Sequence, residues 1–152
     1  MLKMRDPGRH LSENEIASFE ARLGRLLPMD YRQFIATNNG GISDDYRIMY
    51  FNRFYEQMQT LIVFEWLPLL AEDSHTSERL TIEVARKNLD RLCPESMIPI
   101  ALSISTEPVL IALNNDNRGF IYFLDTGVPD QRSISLVSKS FSEFINSLQP
   151  YA

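Results

Sequence analysis

The sequence predicts one α+β domain: a central, mostly antiparallel sheet flanked by an N-terminal helix pair, a middle helix and a C-terminal helix. Three observations lead there. Helical apolar spacing with well-marked ends occurs at the start, once in the middle and at the finish. Between those stretches lie runs rich in aromatic and β-branched residues, which suit strands. The runs come in hairpin-like groups instead of alternating singly with helices, which argues against βαβ units. A length of 152 residues suits one domain, taken as 11–150 after a loose leader over 1–10.

Ser12 and Glu15 make an S-x-x-E capping box that opens the first helix. Ile16, Phe19 and Leu23 form its buried stripe, and Gly24 ends it. The second helix runs from Pro28 to Asn38, with Pro28 at the first helical position and Tyr31, Phe34 and Ile35 on one face. Asn39-Gly40-Gly41 stops it, with positive φ expected at one of the two glycines. Strands are expected over Tyr46 to Phe51 and Thr60 to Leu67, with Asn52 to Gln59 either a helical turn or a loop. Ala71 to Ser77 is polar and acidic, a loop. Ser77 to Leu92 has helical spacing on Ile82, Ala85 and Leu89, with Pro94 beyond it. Met97 to Ser103, Val109 to Leu113, Phe120 to Leu124 and Ile134 to Val137 are four further strands. Asn114 to Gly119 is the turn between two of them. Ser140 and Glu143 open a last helix with Phe141, Phe144, Ile145 and Leu148 inward, and Pro150 lies past its end.

Several of these pieces, in this order, carry a resemblance. Glu20, Leu23-Gly24, Leu27-Pro28, Tyr31, Phe34 and Asn39-Gly40-Gly41 resemble the opening signature of the SUKH superfamily, the Smi/Knr-like domain. Ile98-Pro99-Ile100-Ala101, Gly119-Phe120-Ile121-Tyr122 and Ser140-Phe141-Ser142-Glu143-Phe144-Ile145 are similar to its later strands and closing helix. Two stretches depart from the pattern: Ser105-Thr106-Glu107-Pro108 stands where a Gly-rich turn is common, and Phe123-Leu124 where a Trp often follows the Tyr. The superfamily includes bacterial toxin-immunity proteins and a fungal cell-wall regulator. The resemblance implies a protein-binding role, most commonly neutralising a cognate toxin, often a nuclease. The alternative is a regulatory or scaffolding module of the Smi/Knr type without a toxin partner. The short stretch ahead of the first helix and the acidity favour the first.

The net charge of −5 argues against nucleic acid as a direct partner and suits a basic protein domain. The longest apolar run, Leu61 to Leu70, is broken by Glu65 and Pro68 and falls short of the ~20 residues of a membrane span. No apolar signal core follows the basic N-terminus, so a cytoplasmic protein is expected, as a monomer or weak homodimer.

No constellation for chemistry is legible. His10 and His75 are far apart, and Cys93 is the single cysteine, so neither a four-ligand zinc site nor a disulfide is implied. There is no phosphate-binding glycine loop and no nucleophile elbow. No catalysis, metal or cofactor is expected. The candidate partner surface is the Ile42 to Thr76 region, which holds six acids against two bases, or −4 of the −5. Within it the candidates are Asp44, Asp45, Glu65, Glu72 and Asp73, with Trp66 either a core residue or an interface anchor. The Ser103 to Pro108 loop and the Asn114 to Gly119 turn are the alternative surface.

Overall fold

The computed structural model describes residues 2–71 and 80–151. The chain runs α1 (Glu13–Leu23), α2 (Met29–Thr37), β1 (Gly41–Asn52), β2 (Gln57–Trp66), α3 (Ile82–Leu89), β3 (Met97–Ser103), β4 (Pro108–Ala112), β5 (Ile121–Leu124), β6 (Ile134–Ser138), α4 (Phe141–Ser147) and β7 (Gln149–Pro150). The strands form one antiparallel sheet in the order β6-β5-β4-β3-β2-β1-β7. It is the expected α+β fold. The sheet curls until its distant strands meet, and the amide of Arg53 after β1 donates to Ser135 Oγ on β6 at 3.0 Å.

The helix ends follow local chemistry. Ser12 Oγ accepts from the Glu15 amide while Glu15 Oε1 accepts from the Ser12 amide, a closed capping box. Gly24, with φ 74, ends α1. Pro28 sits one residue earlier than expected, as the N-cap of α2. The middle helix is shorter than its periodicity suggested: Thr81 caps it through the Val84 amide, and a 3₁₀ turn over 90–92 follows. Asp90 makes that change of direction with φ 49, a positive value that L residues rarely adopt. Asn52 to Gln59 proves to be a tight hairpin, because Asn52 Oδ1 accepts from the amides of both Phe54 and Tyr55.

One aromatic nucleus joins helices to sheet. The Phe34 ring of α2 lies 5.4 Å from that of Trp66 and 5.1 Å from that of Phe141, and Phe144 packs on Trp66 at 6.2 Å. Tyr31 is buried, and Phe34 on the same face is partly so. Asp30 ties α2 to α4 by accepting from the amide and hydroxyl of Ser142, both at 2.9 Å. Strands β3 and β4 are buried along their whole length. A smaller cluster around Cys93, Met97, Leu110 and Leu124 completes the interior.

Two features at the sheet margin differ from expectation. Within the stretch expected as a loose leader, residues 4–8 lie along the start of β1: Met4 bridges Ser43, the Arg5 amide donates to Ile42 O at 2.7 Å, and the Gly8 amide to Gly40 O at 3.2 Å. Pro150, expected merely to follow the last helix, belongs to β7, which pairs with Tyr46 and Arg47. The outer edge of β1 is thus covered in two pieces, which protects it from pairing with another chain.

Candidate partner-binding surface

The opening signature turns out to be scaffold. Glu20 is buried on α1, where Oε2 accepts from the Leu27 amide at 2.7 Å and Oε1 from Arg32 Nε at 3.2 Å. Arg32 also reaches Glu13 at 2.7 Å, and these bonds raise its pKa above the ordinary value. The trio locks α1 to α2. Asn39 is buried and clasps the segment after β2: Oδ1 accepts from the amides of Leu69 (2.8 Å) and Leu70 (3.2 Å), and Nδ2 donates to Leu70 O (2.8 Å). Helix α2 has already ended at Asn38, φ −137, so the glycines do not cap it as expected. Both have positive φ, 78 at Gly40 and 141 at Gly41. They are also needed for space. A Cβ on Gly40 would lie 2.7 Å from the Pro68 nitrogen, and one on Gly41 2.7 Å from the Asp6 carbonyl oxygen.

Of the six residues singled out in the Ile42 to Thr76 region, four lie among the described residues. Trp66 is core, 1% exposed, with Nε1 donating to Ser43 Oγ at 3.1 Å, so it anchors the fold and cannot meet a partner. Asp44 and Asp45 sit on a bulge, since the register passes from Ile42↔Glu65 to Tyr46↔Val63. Both are exposed, and Asp44 pairs with Arg5 at 3.1 Å. Glu65 is half-buried on β2. Glu72 and Asp73 lie outside the described residues.

The described part of the region also presents apolar side chains. Along β1, Tyr46, Ile48, Tyr50 and Asn52 are buried while Arg47, Met49 and Phe51 are exposed. The pairs Phe51↔Met58, Met49↔Thr60 and Arg47↔Ile62 put their side chains on the outer face of the hairpin. Met49, Phe51 and Met58 are 51%, 51% and 57% exposed. Ile104, 54% exposed, extends the patch, because its amide bonds Ile62 O at 3.1 Å. The strand pattern is readable from sequence. The identity of the outer face is not, because Met49 and Phe51 are as apolar as the buried Ile48 and Tyr50.

A concavity lies between α1 and α3. It is a cleft of about 750 Å³ with Phe19, Ile82 and Ile98 at its base and Arg22, Arg86, Lys87 and Arg91 along its walls. Cys93 also borders it, buried and donating to Met97 O at 3.4 Å, and burial pushes its thiol up to about 11. That is opposite to what an activated nucleophile requires. Among the described residues, no three His, Cys, Asp or Glu gather where they could hold a metal ion. No helix among them is long and apolar enough to cross a membrane.

The sequence model of the SMI1 / KNR4 family (SUKH-1) matches residues 10–147, nearly the whole chain. The chain belongs to this family. In this SUKH-1 protein the motif residues hold the scaffold, as Glu20 and Asn39 show, and the exposed hairpin face lies outside the motifs. The Ile98 to Ala101, Gly119 to Tyr122 and Ser140 to Ile145 matches fall on β3, the β4–β5 turn with β5, and α4, so the likeness extends through the fold. A search of curated proteins finds no match to the chain.

Proposed function

We propose that this SUKH-1 protein acts as an immunity protein, binding a cognate toxin domain and blocking it by contact without catalysis of its own. The outer face of the β1–β2 hairpin is the surface that meets the toxin. The observation that carries this reading is the exposed apolar stripe of Phe51, Met58 and Met49, continued by Ile104. Contiguous exposed apolar surface marks interaction sites. Phe and Met are enriched in interface cores, and the flexible Met side chain adapts to a partner's contour.

Charge completes the picture. With a net charge of −5, the chain attracts a basic domain, such as that of a nuclease toxin. Asp44 and Asp45, exposed on the bulge of the same strand, steer the encounter, while the apolar stripe sets the lifetime of the complex. The test is titration of the cognate toxin domain with Phe51→Ala/Met58→Ala. The double variant should bind more weakly by ~2 kcal/mol or more, mainly through faster dissociation, with its melting temperature unchanged. Wild-type affinity in that variant would remove the hairpin face from the interface.

A further inference from the structure

We propose that the cleft between α1 and α3 is a second docking site, which takes a short acidic segment of a protein partner anchored by a bulky apolar side chain. This goes beyond the hairpin reading. The cleft belongs to the helical side of the fold: its base residues Phe19, Ile82 and Ile98 share the main core with Ile48 and Tyr50, whereas Met49 and Phe51 alternate with these on β1 and face the other way.

The cleft has the two halves such a segment needs. At about 750 Å³ it has room for one or two large side chains, and its apolar base is half-buried Leu23 over the buried Phe19, Ile82 and Ile98. Among the described residues its walls carry four cations against three acids, Glu83, Asp90 and Glu95. Of the four cations, Arg22 is taken up by Glu83 at 3.0 Å. Arg86 donates to the main-chain carbonyl of Glu95 and has no carboxylate partner among the described residues. Arg91 stands 4.0 Å from Asp90, with both side chains almost fully in water (97% and 81% exposed), where such a pair contributes little. Lys87 is exposed and has no ion-pair partner among the described residues. The remaining acid on the rim is Glu95. Lys87 and Arg91 thus face solvent at the last turn of α3 and just beyond, with half-buried Arg86 beside them, above an apolar base.

The distribution of charge also selects the kind of ligand. A small-molecule site brings a few polar groups together on one point inside a pocket. Here the cations are spread along the rim, and the polar groups are mostly exposed. That suits a chain whose apolar side chain enters the cleft while its flanking carboxylates run past Lys87 and Arg91. Such contacts weaken as salt is added.

The experiment is fluorescence anisotropy on the full chain with a labelled peptide, Asp-Glu-Asp-Phe-Leu-Asp-Glu-Asp. Two controls accompany it, one with every acid replaced by Lys and one with Phe-Leu replaced by Ser-Ser. The proposal expects saturable binding of the first peptide alone, weakening with salt. Lys87→Glu/Arg91→Glu should lower its affinity about tenfold or more with the melting temperature unchanged, because only exposed charges are altered. Phe51→Ala/Met58→Ala should bind the peptide like the wild type, so this result is separable from the fate of the hairpin reading. Absence of saturable binding would overturn the proposal. So would equal binding of the Lys control, or an affinity within about twofold of wild type in the charge-reversal variant.

Discussion

Asn39→Ala should destabilise the protein far more than a polar-to-Ala change usually does. Asn39 is 1% exposed, and its side chain makes three bonds to the backbone of Leu69 and Leu70. Leu69 is buried, so its amide would be left without a partner at ~1–3 kcal/mol. Leu70 is half-buried, and water can replace part of what its amide and carbonyl lose, so those two bonds contribute ~0.5–1.5 kcal/mol each. The sum is about 2–6 kcal/mol, or roughly 4–20 °C in melting temperature for a domain of this size. Urea unfolding is the assay, and the midpoint should fall with the slope unchanged. Asn39→Asp is the companion variant. It keeps the acceptor for the two amides but sets a carboxylate against the Leu70 carbonyl. When protonated, that group can still donate. Its folded pKa should therefore be raised, and stability should fall as pH rises through that pKa. A loss below about 0.5 kcal/mol in Asn39→Ala would refute the reasoning, because surface substitutions fall in that range.

Other expectations follow from the same geometry. Glu20→Ala removes the partner of the Leu27 amide and half of the Arg32 clamp and should cost about 3 kcal/mol, read by urea unfolding. The lone Trp66 should fluoresce at the blue end of the indole range and resist quenching by iodide, since it is 1% exposed; Trp66→Ala should cost ~3–5 kcal/mol. Cys93 should react slowly with iodoacetamide at neutral pH, with an apparent pKa near the value of about 11 that burial imposes. Arg9 holds Glu15 down to about 2, and Arg132 does the same for Asp130. For depressed carboxylates the stabilising contribution is present above the unfolded pKa and is lost as pH falls toward 2, so Glu15→Gln should flatten the acid limb of a stability-against-pH curve.

Much of the fold was legible because its signals are local. The Ser12–Glu15 box, the Gly24 stop and the apolar runs at 97–103 and 109–113 each act within a few residues, and each element appeared near its expected place. What escaped was set by distant contacts. Nothing in residues 1–10 announces that part of the stretch will pair with β1, and two residues at 149–150 are too few to show a strand pattern. The glycines of Asn39-Gly40-Gly41 were visible, but not the need for close approach by Pro68 and Asp6. The acids of Ile42 to Thr76 are legible in the sequence, but charge says nothing of which apolar side chains a strand leaves outside. Folding set Asp44 on a bulge beside Arg5 and left Met49, Phe51 and Met58 outside. Only the curl of the sheet decides which face of a hairpin meets water.

The central claim is that the hairpin's apolar face holds the toxin while the bulge acids guide it in. The most direct measurement is stopped-flow association and dissociation of the cognate toxin domain with wild type, Phe51→Ala/Met58→Ala, and Asp44→Lys/Asp45→Lys. The account predicts a raised dissociation rate with little change in association for the first variant. For the second it predicts slower association with a flatter salt dependence and little change in dissociation. Wild-type rates in both variants, from a complex that still forms, would contradict it.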